Sequence, residues 1–148
     1  MKRRTGRKVS IGVTAITPRY KDLFRNMRDG DRARADQAYD AVLFDRAKAA
    51  PALIEQYHNA KKDEEMRYLC VQLMGFSEAR VVIPTLIDSL DDPSPMVRRE
   101  ACFALEDLRA VEAIDAIRKR TQDLDQNVRN VAEEAYSTLL RRKRKTKT

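Results

Sequence analysis

The sequence has no tryptophan, one histidine, two cysteines, four glycines and five prolines, and aromatic residues make up only 6% of it. Each scarcity excludes something. Sandwiches and barrels are built from aromatic and β-branched strands joined by Gly- and Pro-rich turns, and this chain is poor in all of these but the β-branched residues. His58 has no clustered Cys, Asp or Glu at metal-ligand spacing. Cys70 and Cys102 form no CxxC pair, so neither a zinc site nor a disulfide framework is indicated, and unpaired thiols fit a reducing cytoplasm. Gly6, Gly12, Gly30 and Gly75 are too scattered for a phosphate-cradling loop, and no serine stands beside a base as an activated nucleophile. No segment reaches the roughly 18 apolar residues of a membrane span, because Gln72, Arg80 and Asp88 interrupt the densest runs. The expectation is a protein without catalytic site, metal or cofactor.

What is present is charge. Charged residues reach 36% of the 148, hydrophobic residues 43%, and the net charge is +7. That charge is unevenly spread. Lys2, Arg3, Arg4, Arg7 and Lys8 crowd the start, and Arg141, Arg142, Lys143, Arg144, Lys145 and Lys147 crowd the end, with no acid in either group. The middle is left mildly acidic. A basic surface spread over a folded face would point to nucleic acid, but here only the two ends invite phosphate. The segment Val9 to Ile16 is broken by Ser10, Gly12 and Thr14, unlike a secretory hydrophobic region, although the start shares with transit peptides the absence of any acid before Asp22. Residues 1–17 are expected to be a basic arm, residues 18–140 the folded domain and residues 141–148 a basic tail.

The folded part repeats. Met66-Arg67, Val97-Arg98 and Val128-Arg129 recur every 31 residues, followed each time by small or apolar positions: Cys70, Ala101 and Ala132, then Leu73, Ala104 and Ala135, then Met74, Leu105 and Tyr136. These are successive turns of one helix face. Before each dipeptide a second apolar stripe returns, with Leu53, Ile54 and Tyr57 in one copy and Leu86, Ile87 and Leu90 in the next. Pro51 and Pro84 take equivalent places at its start, where a missing N–H costs nothing. A fainter copy begins at Pro18 and turns at Asp29-Gly30-Asp31. The pattern predicts about four helical hairpins, with first helices near 18–28, 50–60, 81–91 and 112–122 and second helices near 33–45, 64–76, 95–108 and 127–141. One hairpin cannot bury its stripe alone, so neighbours stack, and small residues let second helices approach closely.

The run Asp92-Pro-Ser-Pro-Met-Val-Arg98-Arg-Glu-Ala101, echoed by Asp123 to Ala132, resembles the HEAT repeats, in particular the short bacterial type similar to those of phycobilisome chromophore lyases. The resemblance implies an all-α, right-handed solenoid. It also implies an Asp–Arg ladder through the stack, a scaffold to which Asp92 with Arg98 and Asp123 with Arg129 conform. The leading copies depart from it, since Lys61 takes the acid position and Ala35 the arginine position. HEAT-like hydroxylases carry several His-Glu dipeptides and HEAT-like DNA glycosylases a Trp-containing cleft; neither is present, and nothing marks a tetrapyrrole site.

In HEAT stacks the second helices line the concave side, so their outward residues are the candidate docking ridge: Tyr68, Val71 and Gln72, then Arg99, Cys102 and Phe103, then Asn130, Glu133 and Glu134. Of these, Tyr68, Gln72, Arg99, Phe103, Asn130 and Glu134 are singled out for a protein or extended-peptide partner, with Tyr68 and Phe103 as aromatic anchors beside Arg99. The expected role is a non-enzymatic adaptor, scaffold or assembly factor. The alternative is a nucleic-acid accessory protein binding phosphate through Arg141, Arg142, Lys143, Arg144 and Lys145. Gly75 is expected to end a helix. Arg98→Ala should lower and broaden the thermal transition by unfolding the stack locally; unchanged melting with lost binding would contradict a scaffold role.

Overall fold

The computed structural model describes residues 13–147. They form eight α-helices and, among the described residues, no strand: α1 (Pro18–Met27), α2 (Arg32–Asp45), α3 (Ala50–Asn59), α4 (Glu64–Gly75), α5 (Ile83–Ser89), α6 (Pro95–Asp107), α7 (Ile114–Arg120) and α8 (Gln126–Thr146). Consecutive helices pair into four hairpins, and α4, α6 and α8 pack side by side in one layer. The helix starts are written in the chain. Asp31, Asp63 and Asp125 accept backbone N–H bonds from the first turns of α2, α4 and α8, Thr17 does the same for α1, and Pro95 opens α6.

Two features of the connections escaped the sequence pattern. The first helices of the later hairpins are entered through 3-10 turns, Arg46–Ala49, Arg80–Val82 and Val111–Ala113, so α5 and α7 are shorter than the periodicity suggested. An apolar stripe does not distinguish a 3-10 turn from the first turn of an α-helix. Just before or at each of these turns one residue has positive φ: Arg46 (49°), Glu78 (60°) and Arg109 (55°). Their spacing of 32 and 31 residues is the repeat itself, yet none is glycine, so each connection carries a conformation that side chains disfavour.

The core runs unbroken through the hairpins. Cys70, Ala101 and Ala132 are fully buried, as are Met74 and Leu105, while Phe24, Val42, Leu53, Leu86, Ile117 and Leu139 fill the space between layers. The small residues do what their positions imply. A Cβ placed on Gly75 would sit 2.8 Å from Cβ of Ala104, so α4 and α6 come too close there for a methyl group. Gly75 does end its helix, and also permits the contact. By contrast α2 does not approach α4 in this close manner; Tyr39 and Leu69 stand along the shallow groove between them.

The chain before α1 is tied down from Thr14 onward. The Thr14 hydroxyl and the Ala15 N–H both donate to Glu55 of α3, and Ile16 packs on the core. The remainder of the expected N-terminal arm, residues 1–12, lies outside the described residues. At the other end α8 continues without a break to Thr146, so Arg141 to Lys145 extend the last helix. No helix among the described residues is long and apolar enough to cross a membrane.

Gly75→Ala should destabilise the fold by about 1–3 kcal/mol through overpacking. Denaturant unfolding checks it, and Ala104→Gly in the same chain should recover part of the loss.

Candidate docking ridge on the second helices

The second helices are positioned by a charged ladder. Arg67 of α4 donates through Nε to Asp92 Oδ2 at 2.9 Å and through Nη2 to Oδ1 at 3.0 Å, and Arg98 of α6 grips Asp123 at 2.9 Å through both atoms. Each arginine thus reaches the aspartate of the next hairpin, 25 residues on. The aspartate six residues before it offers no carboxylate: Arg98 Nη1 takes the backbone carbonyls of Asp92 and Pro93 instead, and Arg129 those of Asp123 and Leu124. Asp92 with Arg98 and Asp123 with Arg129, the pairs read from the sequence, are therefore not ion pairs; the rungs join successive repeats, Arg67 to Asp92 and Arg98 to Asp123. The six-residue spacing serves the backbone contact.

Both carboxylates are almost wholly buried and fully used. Asp92 also accepts from the Tyr57 hydroxyl at 2.7 Å and the Ser94 N–H, and Asp123 from Arg120 and the Asp125 N–H. Burial alone would raise the pKa of Asp123, yet the hydrogen bonds from Arg98 and the Asp125 N–H and the charges of Arg98 and Arg120 hold it below the usual range. At the first hairpin the rung is replaced by an exposed pair, Arg28 with Asp63 at 3.2 Å.

On this frame the ridge is only partly the one expected. Tyr68, Gln72 and Arg99 are half-buried, Phe103 is 39% exposed, and Asn130, Glu133 and Glu134 are exposed on α8. Val71 and Cys102 are not on the ridge. Both are fully buried, because a residue one step along a helix points about 100° away, and here that direction leads into the seam with the next second helix. Burial pushes the Cys102 thiol up to about 12, which leaves it inert at neutral pH.

Two residues that sequence reasoning missed complete the cluster. The Tyr39 hydroxyl of α2 donates to Gln72 Oε1 at 2.7 Å, and Gln72 Nε2 donates to the Tyr68 hydroxyl at 3.2 Å. Glu100 of α6 is near enough for its charge to act on both tyrosines. The hydrogen-bonded chain Tyr39, Gln72, Tyr68 joins the first two hairpins, and Glu100 adds a charge from the third. Burial raises the Glu100 carboxyl above its ordinary range and Asp107 adds to this, against Arg99 and Tyr68, which pull it down. Tyr39 is pushed up to about 12 by burial and the nearby Glu100 charge. Arg99 Nε is buried with no acceptor among the described residues. Asn130 and Glu134, one helix further, are not part of this network.

A signal for Glu100 was available. The repeat places Leu69 and Val131 at its equivalents in α4 and α8, so a carboxylate there breaks an aliphatic register. Among the described residues no group of three or more His, Cys, Asp or Glu is placed to hold a metal ion.

The family model described as HEAT repeats matches residues 50–137, more than half of the chain. The chain belongs to the HEAT repeat family. No curated protein matches it. The matched span is α3 to α8, the hairpins whose second helices pack tightly and carry the two buried rungs; the looser first hairpin falls outside it. HEAT repeats commonly mediate protein–protein interaction, and the ridge lies on the helices that the match covers, with Tyr39 added from outside.

Glu100 also sets a pH dependence. Its folded-state pKa is raised, so the native state keeps this proton at pH values where the unfolded chain has lost it. Stability from this group is therefore present below the ordinary glutamate range and lost as pH rises through the folded value. Glu100→Gln should raise the melting temperature at neutral pH, with the gain shrinking in acid; an equal gain at both pH values would contradict the assignment.

Proposed function

We infer that this HEAT protein is a non-enzymatic interaction module that docks an extended peptide or protein surface on the second-helix ridge, acting as an adaptor, scaffold or assembly factor. The observation that carries the reading is Glu100. A buried carboxylate occupies a position that neighbouring repeats fill with aliphatic side chains, it costs stability, and it sits beside the exposed Phe103. Polar groups that weaken a fold at the edge of an exposed aromatic are characteristic of binding surfaces. Phe103 supplies the apolar anchor, Glu100 with the tyrosine hydroxyls suits a cationic or hydrogen-bond-donating side chain, and Arg99 suits an acidic one. Mixed charge along one ridge favours a peptide of alternating character over a nucleic-acid duplex. Asn130 and Glu134 extend the same surface onto α8.

A second reading rests on the helical continuation of α8. Arg141, Arg142, Lys143 and Arg144 are all exposed there, together with Lys145, and the helix offers no acid beyond Glu134. Such an extension binds phosphate through counterion release, as a nucleic-acid accessory protein would, with affinity falling steeply as salt rises.

The two readings separate in one affinity experiment with three baits: the wild-type chain, Phe103→Ala with Arg99→Glu, and a chain lacking residues 1–8 and 141–148. A protein partner retained by the wild-type and shortened chains but weakened by about 2 kcal/mol or more in the ridge variant supports the module. Nucleic acid lost only from the shortened chain promotes the second reading instead.

A further inference from the structure

The ladder leaves two half-rungs unmatched. Arg67, Arg98 and Arg129 are held alike by two backbone carbonyls of their own hairpin: Ala60 and Lys61 at 3.1 and 2.9 Å, Asp92 and Pro93 at 2.9 and 3.3 Å, Asp123 and Leu124 at 2.7 and 3.2 Å. In the first two the remaining edge, Nε and Nη2, grips an aspartate of the next hairpin. The same edge of Arg129, held in place by the same kind of backbone contact, meets no carboxylate among the described residues.

The opposite end of the stack carries the other half. Asp29 is built like Asp92 and Asp123: its Oδ1 accepts the N–H two residues on at 2.8 Å, against 2.9 Å in both others, and the second helix begins three residues after it in every case. Asp92 and Asp123 each receive a two-bond grip. Asp29 has only Arg34 Nε at 3.7 Å.

The flanking positions match as well. Met66, Val97 and Val128 are buried at one position of α4, α6 and α8, whereas its equivalent in α2 is the exposed Arg34. Val71 and Cys102 are buried at another, and its equivalent in α8 is the exposed Glu133. The face of α2 turned from α4 thus carries a cation, and the face of α8 turned from α6 an acid, where interior helices have apolar residues.

We propose that copies of this chain stack head to tail, Arg129 of one protomer gripping Asp29 of the next while Glu133 meets Arg34. A second copy is the occupant because the chain itself presents the missing carboxylate in the backbone geometry that the two filled rungs use. The contact is heterologous, joining different surfaces, so assembly is open-ended and grows with concentration. Charged pairs at its rim make it sensitive to salt.

Sedimentation velocity of the full chain over a concentration series tests this. Wild type should show a weight-average mass that rises with concentration and falls back on adding salt. Arg129→Glu and Asp29→Arg should each lose the rise, and mixing the two variants, which restores opposite charges at every contact, should recover it. Arg129 also anchors the turn before α8, so Glu133→Arg and Arg34→Glu, which leave that anchor intact, should repeat the loss and the recovery on mixing. A single-protomer mass at every concentration would mean that the charged faces only keep the ends of the stack soluble, and would overturn the proposal. Association that ignores both reversals, or a mixture that fails to recover, would overturn it too.

Discussion

Everything in this molecule depends on an arginine that is fixed by its own hairpin and spent on the next. Two backbone carbonyls orient the guanidinium, and its free edge takes a carboxylate across the interface between repeats. A buried ion pair often fails to repay the cost of removing two charges from water. Here the cost is offset because Asp92 accepts four hydrogen bonds and Arg67 donates four, leaving little unsatisfied. Apolar burial supplies the bulk of the stability, but it is non-directional. The rung is the part that selects one register, and with it the approach of α4 to α6 that Gly75 and Ala104 require.

Register matters because the ridge is assembled across repeats. Tyr39, Gln72, Tyr68 and Glu100 come from three hairpins, and a slip of one helical turn would separate them. The same frame explains how a destabilising carboxylate is tolerated: Glu100 stands on α6, which is flanked on both sides by tightly packed second helices and tied at its start by Arg98 and Asp92. The first hairpin differs. It lacks a buried rung and its α2 stands off α4; it shares the apolar core through Phe24, Met27 and Val42, to which polar contacts add, Arg28 with Asp63, Tyr39 with Gln72 and Glu55 with the segment before α1.

Most of the fold was legible in the sequence because solenoid contacts are nearly one-dimensional. Recurrence at 31 residues located the hairpins, and the small positions named the seam. What stayed hidden has physical reasons. The six-residue Asp–Arg spacing is visible in one repeat, but the carboxylate partner lies 25 residues on, and only three dimensions reveal which acid an arginine meets. The positive φ residues, Arg46, Glu78 and Arg109, bear no glycine to advertise them. Val71 and Cys102 looked outward because the ridge was drawn one helical step too wide. Glu100 was overlooked in the opposite way: a charged residue within an arginine-rich run reads as surface, and its burial becomes evident only when aligned with Leu69 and Val131.

The rung is the element that fixes register, and a double-mutant cycle on Arg67 and Asp92 tests this most directly. Unfolding free energies would be compared for Arg67→Leu, Asp92→Leu and the pair together. Each single change should cost about 3–5 kcal/mol, mostly because the surviving charge is left buried and unpaired, and the double change should cost clearly less than the sum. Additive losses, or single losses no larger than those of a surface ion pair, would contradict the claim that this interaction organises the stack.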